Sequence, residues 1–209
     1  GATTAGTALG TSSTVEPVPV PVHSTADPLR VLFVCTANIC RSPFMGHRAR
    51  QLAGPDARIE FASAGTHGFR DHPMDDVMAQ TLIARGAAAG AFRSRPLTKE
   101  LVDAADLVIT AESTHRAFIL DEHPAAFRKV FTLGQLAEAV KAGDPSLSGR
   151  GLISAVGQRR GAADPALDVA DPYARGARGP EAAERAASHI DDLLRVVVPA
   201  LTGTGRISA

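Results

Sequence analysis

Residues 31–43 read VLFVCTANICRSP. The strand signal begins two residues earlier, in LRVLFV from Leu29. It is apolar and β-branched without alternation, which predicts a strand buried on both faces. Ser42-Pro43 opens a helical stretch to about Ala53, with the proline in the first turn, where its missing N–H is tolerated. The five residues from Thr36 to Cys40 must therefore turn tightly from strand to helix, so several backbone N–H groups converge on one point. Such a nest beside a helix N-terminus accommodates a tetrahedral oxyanion. Arg41 adds a planar fork that takes two of its oxygens. The same field favours the thiolate of Cys35, six positions before Arg41, with Ser42 placed to donate a hydrogen bond to it. A thiolate beneath a bound phosphate is set for in-line attack on phosphorus.

Outward from this segment, strand and helix patterns alternate. IEFASAG (59–65) reads as a second strand, and Asp75 to Arg85, stopped by Gly86, as a helix with an acidic start. Thr98, followed by Glu100, caps a short helix through Ala104. DLVIT (106–110) is a third strand, Ser113–Glu122 a helix, KVFTL (129–133) a fourth strand, and Gln135 to Ala142 a helix. Residues 143–167 carry several glycines, two Asp-Pro pairs and Arg159-Arg160, and predict a long loop with one short helical turn. The two arginines read as solvated surface charge. An amphipathic helix from about Pro180 to Leu201 aligns Ala183, Ala187, Ile190, Leu194 and Val197. The alternation argues for a parallel sheet covered on both faces.

Residues 1–28 differ in kind. They are rich in Thr, Ser, Pro and Gly, with only Glu16 and Asp27 charged, and Pro17, Pro19 and Pro21 favour extended chain. A disordered or loosely docked extension is expected there, without the basic start and cleavage pattern of a secretory leader. The 209 residues hold 22 basic and 22 acidic side chains, a formal net charge of zero, which removes the electrostatic case for a nucleic-acid binder. Aromatics are 4%, with no Trp, so base-stacking platforms are not expected either. No apolar run is long enough for a membrane span. Two cysteines five residues apart cannot form a disulfide framework, and a reducing, cytoplasmic setting is expected.

CTANICRS, after a strand and before a helix, resembles the loop of the low-molecular-weight protein tyrosine phosphatase family, bacterial type. SAGT (63–66), ADLVIT (105–110) and ADPY (170–173) resemble later family segments in the same order. The resemblance covers roughly 29–142 and 168–201. It implies a three-layer, flavodoxin-like α/β domain over 29–203, with 143–167 a variable loop insert. Four parallel strands in order 2-1-3-4 place the site at the carboxyl end of strand one. It further implies that Cys35 attacks phosphorus and that Arg41, with the amides of Thr36, Ala37, Asn38, Ile39 and Cys40, binds the phosphate. Asp171 would act as general acid and then base. Ser63 would hold Asn38 and, with Ser42, support the loop. Phe69 and Tyr173 would form the pocket walls. The implied substrate is a phosphotyrosine-containing protein, and no metal or other cofactor is implied.

Some residues carry bland alternatives. Cys40 packs beneath the loop or traps an oxidised Cys35 as a disulfide. Asp164-Pro165 competes with Asp171-Pro172 but lacks the following aromatic. Phe69 could be ordinary core. His67 and His72 near Asp71 have loop spacing that does not suggest a metal site. The chain also departs from the family pattern. Phe92 stands three before Arg95 where a histidine is common, the loop after SAGT is about one residue short, and GHRARQLAG (46–54) replaces smaller and acidic residues.

Among functions, phosphotyrosine hydrolysis leads. Ile39 favours it, since family members acting on phosphoarginine carry Thr there, and a branched apolar residue would crowd a guanidinium while packing on a flat ring. Arsenate reduction of the thioredoxin-linked type needs cysteines downstream of Cys40, and there are none. A catalytically silent phosphate-binding module is the alternative from another class.

Overall fold

The first strand, β1 (Leu29–Cys35), is buried except at Arg30. Val31, Phe33 and Cys35 enter one hydrophobic cluster while Leu32 and Val34 enter another on the opposite face. Burial on both sides is why the run lacks polar alternation. The chain is described by a computed structural model over residues 27–159, 161–173 and 179–204. The N-terminal extension expected over 1–28 lies outside these residues apart from Asp27 and Pro28, as does Arg160.

Three further strands join β1 in parallel. β2 (Ile59–Gly65) pairs along its full length, from Leu29 opposite Ile59 to Cys35 opposite Gly65. β3 (Leu107–Thr110) pairs on the other side of β1, and β4 (Val130–Thr132) pairs with β3. The order β2-β1-β3-β4 is the expected one. Seven helices are described: α1 (Arg41–Ala53), α2 (Asp76–Ala84), α3 (Lys99–Ala104), α4 (Ser113–Glu122), α5 (Leu133–Ala142), α6 (Gly149–Gln158) and α7 (Pro180–Thr202). Helices α1, α2, α5, α6 and α7 bury their apolar sides in the larger cluster, and α3 and α4 cover the other face.

Starts and stops follow local chemistry. Asp75 accepts from the Met78 amide and Thr98 from the Leu101 amide. Thr132 and Gln135 form a reciprocal capping box. Gly203, at φ 76°, ends α7 in the left-handed region.

The expectation for 143–167 needs correction. Instead of a loop with one helical turn, it contains the ten-residue α6, which buries Leu152, Ile153 and Val156. One of the glycines that suggested a loop serves packing. Gly157 lies so close to the Arg128 carbonyl that a Cβ would collide with it. Asp164, in the competing Asp-Pro pair, caps the 3-10 turn Pro165–Leu167 by accepting from the Ala166 amide.

Helix α7 is tied to α1 and α2 by charge as well as packing. The two carboxylate oxygens of Asp191 take Arg48 Nε at 2.7 Å and Arg85 Nε at 2.6 Å, and Arg85 also pairs with Glu184. Removing Asp191 would strand the mostly buried Arg48 charge, a costly change in a packed interior. The departure GHRARQLAG thus supplies one member of an inter-helix ion network. Among the described residues no helix is long and apolar enough to cross a membrane.

Candidate active site

The turn from β1 to α1 is fixed through its carbonyls. Cys35 O accepts from the Thr66 amide at 2.9 Å, Thr36 O from His67 at 2.9 Å, Ala37 O from Phe69 at 3.2 Å and Ile39 O from Asp75 at 2.8 Å. With those carbonyls bound to surrounding segments, none of the amides of residues 37–41 donates to an acceptor among the described residues. Their donors are thus left unengaged, as an anion nest requires. SAGT contributes through Gly65, where a Cβ would stand 2.5 Å from Thr36 O, so only glycine allows this approach.

Asn38 is the pivot. It is fully buried with φ 60°, a left-handed conformation that asparagine tolerates when its side chain bonds locally. Its Nδ2 donates to Ser42 Oγ at 2.8 Å and Ser63 Oγ at 3.0 Å, and its Oδ1 accepts from the Arg95 amide at 2.9 Å. The expected Ser63 contact is therefore present, and Arg95 is an unanticipated third partner. Cys35 Sγ lies 3.0 Å from Ser42 Oγ and accepts from the Ser42 amide at 3.4 Å. Because Asn38 Nδ2 already donates to Ser42 Oγ, the single Ser42 proton is left for an acceptor, and Cys35 Sγ at 3.0 Å is nearer than Ala64 O at 3.4 Å.

Arg41 is almost wholly buried at the start of α1. Its Nη1 donates to Val169 O at 2.8 Å and lies 2.8 Å from Glu112 Oε2. Neither partner was expected from sequence. Glu112, the N-cap of α4, also shares a capping box with His115. The Glu112 amide donates to His115 Nδ1 at 3.1 Å, which leaves the ring proton on Nε2, 2.8 Å from Thr36 Oγ1. Burial, reinforced by the Arg41 charge, pushes His115 down to about 4.

The segment carrying Asp171 is anchored two and three residues upstream. Asp168 accepts from the amide and hydroxyl of Ser113 at 2.8 and 3.0 Å, and the Val169 amide donates to Ala111 O at 2.9 Å. Asp171 Oδ1 accepts from the Tyr173 amide at 3.0 Å, and its charge is felt at both Cys40 and His115. Tyr173 packs on the main core, its hydroxyl buried beside Asp75 and Cys40 without a hydrogen bond of good geometry. Burial, then Asp75, pushes that hydroxyl above the usual range. Cys40 is a buried free thiol, also pushed well up, by burial first and by Asp75 next. Phe69, by contrast, is 50% exposed at the rim, its ring 5.3 Å from that of His72. Phe69 thus meets the loop at Ala37, and Tyr173 reaches it at Cys40.

Glu112, His115, Asp168 and Arg95 escaped the sequence reading. Nothing local in the sequence connects Glu112 to Arg41, 71 positions earlier.

On this fold, a buried thiol at the end of β1 followed by a loop of unengaged amides and a buried arginine is the layout of a cysteine-dependent phosphatase. Comparison with known proteins carries the class to a family. The family model for low molecular weight phosphotyrosine protein phosphatase matches residues 30–149, and the chain belongs to that family. It is 35% identical over 115 residues to the low molecular weight protein-tyrosine-phosphatase Etp of Escherichia coli K12, covering 55% of this chain and 76% of that protein. It is 36% identical over 110 residues to a protein-arginine-phosphatase of Geobacillus stearothermophilus, covering 52% and 71%. The solved YwlE arginine phosphatase of the same organism superposes with a TM-score of 0.63 at 28% identity, over 82% of this chain and 91% of that one. Vibrio vulnificus Wzb, solved with benzylphosphonate, shares the fold with a TM-score of 0.63 at 21% identity, over 83% and 99%.

Proposed function

We propose that this phosphatase hydrolyses phosphotyrosine in protein substrates through a phosphocysteine intermediate. Cys35 is the nucleophile, Arg41 the phosphate binder and Asp171 the general acid and base. The observation that carries this reading is the loop that follows Cys35, whose carbonyls are engaged elsewhere while the amides of residues 37–41 find no acceptor among the described residues. A dianionic phosphoryl group fits that field, and the equatorial oxygens gain most from it in the transition state.

The sulfur of Cys35 bonds to phosphorus as the ester P–O bond breaks. The departing phenolate, whose conjugate acid has a pKa near ~10, takes its proton from Asp171. The Asp171 carboxylate then takes a proton from water, which attacks phosphorus, breaks the S–P bond and releases inorganic phosphate with the thiolate restored. Phe69 and Tyr173 flank the entering ring. Residues 29–203 form the catalytic domain, with 143–167 its variable segment. A cytoplasmic setting suits a nucleophile that must stay reduced beside a second thiol.

The similarity to a protein-arginine-phosphatase supports a second reading, phosphoarginine hydrolysis by the same loop. Ile39, packed against the core, argues for a flat aromatic substrate instead. The test is metal-free hydrolysis of phosphotyrosine, phosphoarginine and phosphoserine peptides by wild type and Cys35→Ser. Phosphotyrosine turnover that vanishes in Cys35→Ser is the expected result. Preferential phosphoarginine turnover would install the second reading. Phosphate-ligand binding by reduced protein without any turnover would make the chain a silent binding module.

A further inference from the structure

Beside the catalytic loop, along the open edge of β2, runs a cleft of about 330 Å³. His47 and Arg50 of α1, Phe61 of β2, and Phe92, Arg93 and Arg95 from the segment between α2 and α3 contribute to its lining, and no carboxylate does. In a chain of zero net charge, three arginines in one cleft without an acidic residue are a local concentration of positive potential.

The walls are held in place. Arg50 Nη2 donates to Phe61 O at 2.8 Å, and Arg95 Nε donates to Ser63 O at 3.0 Å. Each guanidinium spends one donor on the strand edge and keeps others for a ligand. Those two bonds also cap edge carbonyls that an added strand would need, so main-chain pairing is disfavoured and side-chain charge must do the recognising. The His47 ring is set between Pro43 O at 2.8 Å and Ala89 O at 3.1 Å, and meets the Phe92 ring edge-on at 5.8 Å. Arg93 is the least committed member: its contact is a loose pair with Asp71 at 3.9 Å, both side chains exposed.

We propose that this cleft binds an acidic segment of a protein partner. Carboxylates would pair with Arg50, Arg93 and Arg95. Arg95 links the cleft to the active site, since its amide holds Asn38 Oδ1. The proposal does not rest on the substrate assignment above, and binding rather than turnover tests it.

The probe is a fluorescein-labelled hexaglutamate peptide carrying no phosphate, read by anisotropy against the full chain in saturating inorganic phosphate, which occupies the catalytic loop. The expected result is saturable binding that weakens as salt rises and falls about tenfold in Arg93→Glu, with a smaller loss in Arg50→Gln. A hexaserine peptide should not bind. Thermal unfolding verifies that both variants are folded, independently of activity. Absence of saturable binding, or equal affinity in wild type and both variants, would overturn the proposal.

Discussion

Arg41 Nη1 and Glu112 Oε2 lie 2.8 Å apart in a site where Arg41 is almost wholly buried. The same nitrogen donates to Val169 O, while the remaining donors of the fork make no bond to another described residue. The arginine is therefore pinned at one corner and keeps its other N–H groups unengaged. A buried guanidinium without a counter-charge would be costly, and one with its whole fork engaged would be useless to a phosphate.

Glu112→Ala removes the pin and leaves Arg41 with only a carbonyl partner. Turnover of an aryl phosphate should fall roughly 10- to 100-fold in kcat/KM, less than the about 10²–10³ lost with an oxyanion donor itself, because Glu112 acts only through Arg41. The loss of the α4 cap should cost about 1 kcal/mol in stability. Steady-state kinetics beside a denaturant melt separates the two effects. A melt that shifts without any change in kcat/KM would reduce Glu112 to a helix cap.

Asn38 makes three side-chain hydrogen bonds from a fully buried left-handed position. Asn38→Ala strands donors and acceptors at once and removes the local bonding that makes this conformation tolerable. A destabilisation of about 2–4 kcal/mol is expected, with turnover falling by more than the stability loss explains. Ser63→Ala, which deletes one of the three bonds, should cost about 1 kcal/mol. Denaturant titration of the two variants checks the ranking, and equal losses would mean that Ser63 rather than Asn38 sets the loop.

These contacts show what the sequence could and could not convey. The four strands and their order followed from the apolar runs and the family resemblance, because a strand buried on both faces cannot hide its composition. Cys35, Arg41, Ser42 and the loop lie within eight residues, so their geometry is local and legible. The partners of Arg41 are legible only in space: Glu112 and Val169 meet it from 71 and 128 positions away. Helix α6 was hidden for another reason. GRGLISAVGQ mixes three glycines and β-branched residues with its better helix formers, and its stability comes from burying Leu152, Ile153 and Val156, which no local propensity announces.

His115 gives the fold a pH signature. An unfolded histidine titrates near ~6.5, whereas burial and the neighbouring Arg41 push His115 down to about 4 in the folded chain. Between these values the unfolded chain binds a proton that the folded one refuses. Stability is therefore highest above pH 6.5, falls as pH drops toward 4 and levels off below. The loss is on the order of 3 kcal/mol. Charging the ring would also set a proton on Nδ1 against the Glu112 amide that now donates to it. Urea melts from about pH 4 to 8 should show this slope in wild type and a flatter one in His115→Gln. Parallel curves would mean that His115 accepts its proton inside the fold.

Asp171 sits three residues beyond Asp168, whose carboxylate grips Ser113, and two beyond Val169, which holds Arg41 through its carbonyl and Ala111 through its amide. One short segment thus fixes both the proposed phosphate-binding arginine and the proposed proton donor, so the two roles can be separated only by chemistry. Asp171→Asn keeps the size and the turn but has no proton to give. Rate should fall most for phosphate esters of weakly acidic phenols and least for those with activated leaving groups, with a spread of about 10²–10⁴-fold. If water activation limits, the activated esters should instead show a burst as phosphocysteine accumulates, because the substituted carboxamide cannot take the proton from water either. Pre-steady-state kinetics with excess substrate over a leaving-group series reads both steps. An equal loss for every ester, without a burst, would assign Asp171 to positioning Tyr173, whose amide donates to it already.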